Sequence, residues 1–129
     1  MPMVDLIDET FIVAPPDAVA AAVHDPALWR ELWPDLELAV FEDRGVAGLR
    51  FTVCGALAGS NELWLEPWGD GVIVHYYCRA DLTRRGSATE PVSGSPRALQ
   101  RRGVRATQRH ARAVKAGINA LKDRLEADR

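Results

Sequence analysis

Pro15–Pro34, PPDAVAAAVHDPALWRELWP, is the stretch from which the rest of the chain is read. It holds two short helical units in tandem. Pro16 suits a first helical position, where its missing N–H costs nothing, and Asp17 favours the positive helix N-terminus. Val19, Ala20 and Val23 then share one face. Asp25–Pro26 repeats the signal, an N-cap carboxylate followed by proline, and Pro34 stops the second unit. Leu28, Trp29, Leu32 and Trp33 make its buried stripe. Indoles bury ~150–250 Å² each, so this pair lines either a core or a pocket mouth.

Before this insert lies one apolar strand, Met3 to Val13, with neither face purely apolar. Pro15–Pro16 ends it, because proline cannot donate to a ladder. After the insert only strands are expected for some fifty residues. Leu36–Asp43 carries Leu36, Leu38 and Val40 on one face; Arg44–Gly45 turns the chain; Leu49, Phe51 and Val53 alternate with Arg50, Thr52 and Cys54. Gly55 and Gly59 bracket a bend or a bulge.

The clearest hairpin is SNELWLEP, then WGDG, then VIVHYYCRADL. With Trp68–Gly71 as the loop, Pro67 faces Val72, Leu65 pairs with Val74, Leu63 with Tyr76 and Asn61 with Cys78. The opposite face pairs Glu66 with Ile73, Trp64 with His75 and Glu62 with Tyr77. The first face is the inner one. Residues 83–95 are rich in Gly, Ser and Thr and read as a mobile loop. Ser95–Pro96 starts a last helix over 96–127, whose stripe reads Val104, Thr107, Ala111, Val114, Ile118, Leu121 and Leu125. Gly103 and Gly117 beside that stripe indicate either close approach or space beneath the helix. His110 is read only as part of the helix's arginine-rich half.

Length and composition bound the class. A chain of 129 residues, 47% hydrophobic and 26% charged, is one globular domain, 1–129, able to bury a core without metals or disulfides. No run approaches a membrane span, and MPMVDLIDET is too acidic for a signal peptide. Cys54 and Cys78 lack any CxxC or nearby histidine, so two reduced thiols in a cytoplasmic protein are expected. The net charge of −2 hides an acidic front and a basic end. Arg97, Arg101, Arg102, Arg105, Arg109 and Arg112 stud the last helix. Without stacking aromatics or a reading motif, nucleic-acid binding is not expected; a solvated face is the plain reading, with an anionic membrane surface, an acidic partner or the chain's own acidic half as alternatives.

The order strand, two short helices, antiparallel strands and long C-terminal helix resembles the START-like (SRPBCC, Bet v 1-like) helix-grip superfamily, in particular the bacterial polyketide cyclase/dehydrase and lipid-transport group. The residues that carry the resemblance are Ile12–Val13–Ala14–Pro15–Pro16 with Val19, Asp25–Pro26, Trp29, and Trp33–Pro34. Leu65–Glu66–Pro67 with Gly71, and Ala120–Leu121–Lys122–Asp123–Arg124–Leu125, add to it. The resemblance implies an α+β fold: a curved antiparallel sheet gripping the long helix, with an apolar cavity between them. The family usually has six strands after the helical pair; four are found here, for about five in all against the usual seven.

The function implied is binding or transport of a small hydrophobic ligand, lipid- or polyketide-like. The cavity set would be Trp29, Trp33, Leu38, Phe51, Val53, Leu63, Leu65, Val74, Tyr76, Val114, Ile118 and Leu121, for which a solid core is the plain alternative. A polyketide cyclase or dehydratase is the second reading, and it needs a buried proton shuttle and donors to an enolate oxygen. Tyr76 and His75 are its candidates, although the pleat aims His75 outward onto Trp64. A protein-interaction module is the third, binding a protein through its sheet face or its arginine-rich helix, with a homodimer through the Trp64/Tyr77 sheet face. No metal-ligand spacing, nucleophile–base pair or phosphate-binding glycine pattern is present, and no cofactor is expected.

Overall fold

The computed structural model describes residues 2–127. Strand β1 (Val4–Ile12) runs into helices α1 (Pro16–Val23) and α2 (Pro26–Leu32). Four strands follow, β2 (Leu36–Asp43), β3 (Gly48–Gly55), β4 (Leu57–Trp68) and β5 (Gly71–Leu82), and then helix α3 (Pro96–Ala127). The strands form one antiparallel sheet in the order β1-β5-β4-β3-β2. This is an open, five-stranded sheet with the long helix laid across one face, the helix-grip α+β architecture that the sequence implies.

Local chemistry sets the element boundaries. Asp25 caps α2 by accepting from the Ala27 N–H at 2.9 Å, and Ser95 does the same for α3 through Ala98 at 3.2 Å. His24, the last turn of α1, is tied to the Ala20 carbonyl oxygen (2.7 Å) and to Asp43 at the end of β2 (2.8 Å). The β4–β5 register is the one the alternation predicts, from Pro67–Val72 to Asn61–Cys78. The turn is tighter than the expected four-residue loop: Trp68 and Gly71 are themselves paired, leaving Gly69–Asp70 to reverse the chain. In β2 a bulge between Val40 and Glu42 interrupts the alternation, and Val40 and Phe41 are exposed. Residues 83–95 fold back on the sheet through a Thr83–Pro91 bridge and backbone bonds from Gly55 to Ala88 and from Val92 to Leu82.

The core lies between the inner sheet face, α1–α2 and α3. Leu49, Phe51, Val53, Leu63, Leu65, Val72, Val74 and Tyr76 supply the sheet side; Leu32, Trp33, Val114, Ile118 and Leu121 face them. Helix α3 is fastened along edge strand β1. Lys115 Nζ reaches Thr10 Oγ1 (2.8 Å), the Glu9 carbonyl (3.0 Å) and Asp8 Oδ2 (3.2 Å); Lys122 Nζ reaches the Phe11 carbonyl (2.8 Å). These ammonium groups satisfy acceptors along a strand edge that would otherwise template another chain.

The stripe of α3 departs from expectation in its first half. Gly103 and Ala106 are buried, His110 is half-buried, and Val104 is 52% exposed. From Val114 onward the expected and observed stripes coincide. The cause is proximity. A Cβ on Gly103 would stand 2.7 Å from the Met3 carbonyl oxygen, and one on Gly117 would stand 2.4 Å from Leu32 Cδ2. Both glycines therefore mark close approach, of β1 in one case and α2 in the other, and not space left beneath the helix.

Candidate functional site

Tyr76 sits at the centre of the inner face of β5, fully buried. Trp33, at the end of α2, donates its indole N–H to the Tyr76 hydroxyl at 3.1 Å, and the two rings stack at 5.9 Å with a 29° tilt. On the other side the same hydroxyl lies 2.6 Å from Nε2 of His110, the residue that the observed α3 stripe turns inward. An indole only donates, so the Tyr76 oxygen accepts there; toward His110 the hydroxyl donates to a bare Nε2 or accepts from a protonated one, according to the imidazole's tautomer.

The surroundings keep this chain of groups neutral. Burial pushes the Tyr76 phenol well above its ordinary value, and the field of Cys78 adds to the rise while the Trp33 bond opposes it. Burial likewise holds the His110 imidazole below its ordinary value, against a partial pull upward from Asp35. Cys78, the next inner position of β5, is pushed up to about 11, chiefly by burial. The result is a neutral Trp33–Tyr76–His110 relay in an apolar frame, with a thiol beside it.

Two clefts meet at the end of α2. One, of about 370 Å³, opens between Leu32, Pro34, Asp35, Leu57, Leu82, Ala106, Arg109 and His110. The other, of about 350 Å³, is lined by Trp29, Arg30, Trp33, Pro34, Leu36 and Leu38. Pro34 borders both; Trp33 borders the second and sets its ring edge-on to Phe51 at 5.5 Å. Trp29 packs edge-on to the same Phe51 at 4.9 Å and satisfies its N–H on the Val23 carbonyl at 2.7 Å.

The expected cavity set divides accordingly. Trp29, Trp33 and Leu38 border the second cleft. Phe51, Val53, Leu63, Leu65, Val74, Tyr76, Val114, Ile118 and Leu121 are buried in the core around the relay. Tyr76 takes the inner position expected of it. His75 does not join it: it lies on the outer face, stacked on Trp64 at 4.4 Å and parallel to Tyr77 at 6.3 Å. Its Nε2 is 3.0 Å from Glu66 Oε1, and its Nδ1 stands 3.3 Å from Glu9 without hydrogen-bond geometry. The sheet therefore separates His75 from Tyr76, and the histidine that meets Tyr76 is His110. Sequence reading missed it because the helical stripe was phased on Val104; phasing on Gly103 and Ala106, small residues three apart, puts His110 inward.

Among the described residues no group of three or more His, Cys, Asp or Glu side chains is arranged to hold a metal ion, and both cysteines are free. Among the described residues no helix is long and apolar enough to cross a membrane. The six arginines from Arg97 to Arg112, and Arg124 near the end of α3, are all exposed.

No family model matches the sequence, and no curated protein matches it. Solved structures do match its fold. A protein of Deinococcus radiodurans superposes with a TM-score of 0.62 at 10% identity, covering 97% of this chain and 99% of its own. A START superfamily protein of Mycobacterium smegmatis gives 0.52 at 12% identity, with coverages of 97% and 99%. An aromatase/cyclase from a Streptomyces species gives 0.50 at 12% identity, with 96% of each chain covered. With five strands in place of seven, the chain has the START-like (SRPBCC) helix-grip fold.

Proposed function

We propose that the protein binds a small hydrophobic molecule at the α2 end of the sheet–helix interface, in the two clefts that share Pro34. The observation that carries this reading is a pair of clefts at the two ends of a neutral, internally hydrogen-bonded relay, one bordered by His110 and the other by Trp33. At about 350–370 Å³ each, the clefts lie at the small end of ligand pockets, ~300–1,000 Å³. The fold's neighbours include a START superfamily protein, which supports the same class. Carriage of the ligand, rather than a reaction on it, fits a site whose polar groups already bond to one another.

Titration with a small aromatic hydrocarbon such as ethylbenzene tests the reading. The indole N–H resonances of Trp29 and Trp33 should shift saturably, while that of Trp68, 65% exposed at the far hairpin, stays in place. Unmoved Trp29 and Trp33 resonances up to the solubility limit would sink the idea. Native mass spectrometry of the protein purified from its own host would then weigh any resident ligand.

A second reading, a cyclase- or dehydratase-type activity on a polyketide-like substrate, is supported by the Tyr76 hydroxyl 2.6 Å from His110 and by the cyclase among the structural neighbours. In it Tyr76 would donate to an enolate oxygen and His110 would move the proton. Unchanged turnover in a Tyr76→Phe, His110→Gln double variant would exclude it. A homodimer through the Trp64/Tyr77 face is a separate proposal, supported by Ile7 (67% exposed) and Trp68 (65% exposed) on that face.

A further inference from the structure

Asn61 is a polar residue on an apolar wall. It occupies an inner-face position of β4, paired with Phe51 on β3 and Cys78 on β5, and it is 1% exposed. Both its amide nitrogen and its carbonyl oxygen are buried with no protein hydrogen-bond partner. Native interiors rarely tolerate one such atom, because a desolvated amide that bonds to nothing is costly. Here one side chain presents two, a donor and an acceptor on the same amide plane.

Its neighbours give that amide a context. Along the inner face of β4 the positions run from Asn61 through Gly59 to Leu57, and opposite them β5 runs from Cys78 through Ala80 to Leu82. Leu57 and Leu82 border the 370 Å³ cleft, together with Ala106 and His110 of α3. The distance from Leu57 to Asn61 is about 13 Å along the strand, and the residues between, Gly59, Ala80 and Cys78, carry nothing larger than a thiol. Tyr76 is the diagonal neighbour of Asn61 across β4–β5. Along one wall the pairs therefore run from the cleft at Leu57–Leu82 through Gly59–Ala80 and Asn61–Cys78 to Leu63–Tyr76.

We propose that the Asn61 amide is the floor of a ligand subsite that reads a hydrogen-bonding head carrying an acceptor beside a donor, as a primary amide or a neutral carboxylic acid does, with the apolar tail in the Leu57–Leu82–His110 cleft. A carboxamide can exchange two parallel hydrogen bonds at once with such a head, and only one with a ketone, which has no donor. An ionised carboxylate is acceptor-only and would leave the Asn61 carbonyl unpaired in an apolar site. This inference rests on the ligand-binding function proposed above and names the class of ligand.

Phenylacetamide, phenylacetate and ethylbenzene share an aromatic tail and differ in the head. Each is titrated into the wild-type chain and into Asn61→Leu at neutral pH, with the side-chain NH₂ resonances of Asn61 followed in the wild type. Phenylacetamide is expected to bind at least about tenfold tighter than ethylbenzene, the worth of roughly one net hydrogen bond or more, to bind tighter than phenylacetate, and to shift the Asn61 resonances. Asn61→Leu keeps nearly the same shape; it should retain the ethylbenzene affinity and lose the preference for the amide. Equal affinities in the wild type would overturn the subsite while leaving hydrophobic binding intact. So would a preference that survives in Asn61→Leu, tighter binding of phenylacetate, or Asn61 protons that exchange with a resident water and ignore every probe. Failure of all three compounds to bind would remove the proposed function itself, and the subsite with it.

Discussion

The Tyr76 hydroxyl joins three elements at one atom, since Trp33 comes from α2 and His110 from α3. Replacing Tyr76 by Phe keeps the ring packing but leaves the Trp33 N–H and His110 Nε2 without their shared partner. That should lower stability by ~1–3 kcal/mol, read as a lower midpoint in urea with an unchanged slope. His110 adds a pH signature. Its folded-state value is depressed below the ordinary 6.5, so between those two values the unfolded chain holds a proton that the folded one refuses. The stability it contributes is thus present in full above about pH 6.5 and is lost as pH falls through the depressed value. His110→Gln, which does not titrate, should flatten that part of the stability–pH curve; an unchanged slope would mean that the imidazole is not buried as described. The Tyr76 phenol, held well above its ordinary value, should ionise only when alkali unfolds the protein. Tyr76 could be found from sequence because strand parity fixed its face. His110 could not, because one residue's change in phase turns a helix by about 100°.

That phase is a property of the element. From Val114 to Leu121 the apolar residues of α3 are large and their spacing alone defines the buried face. In the first half the face is defined by what is missing, since Gly103 lets the Met3 backbone approach. Hydropathy weighs Val104 above Gly103 and so points the wrong way; contact distance, which sequence does not contain, decides. Gly103→Ala separates the two effects. Alanine gains up to ~1 kcal/mol of helix propensity over glycine, yet its Cβ would lie 2.7 Å from the Met3 carbonyl oxygen. Displacing backbone to relieve overpacking costs ~1–3 kcal/mol. The net change should be destabilising, measured by thermal or urea unfolding, and a stabilised variant would show that β1 yields at no cost. The β4–β5 hairpin gave no such difficulty. Its inner residues are large and its outer ones mixed, so a one-residue slip would bury Glu62 and Glu66, and the register could be read directly.

For the molecule as a whole, a sheet of five strands leaves less to wrap around a ligand than one of seven, and Trp33, 1% exposed, packs its indole into the interior against Phe51 and Tyr76. The family resemblance anticipated an elongated cavity; strand count was legible, but how far an indole would reach into the interior was not. The outer sheet face poses a different whole-molecule question. Ile7, Phe11, Trp64, Trp68 and Tyr77 lie on it, interleaved with Asp5, Glu9, Glu62 and Glu66. A two-fold pairing of such faces would bury the aromatic residues and also bring like carboxylates together. Salt screens that repulsion, with a Debye length of ~10 Å at 0.1 M falling to ~3 Å at 1 M. A sheet-to-sheet dimer should therefore tighten as ionic strength rises. The rival contact, in which the exposed arginines of one α3 dock on the acidic sheet of another copy, is an attraction between opposite charges and should loosen under the same change. Sedimentation equilibrium at low and high salt reads the sign directly. Trp68→Glu adds a carboxylate to the apolar patch, so it should dissociate the first kind of dimer and strengthen the second; a monomer at every salt concentration would leave the outer aromatic face without a second copy to cover it.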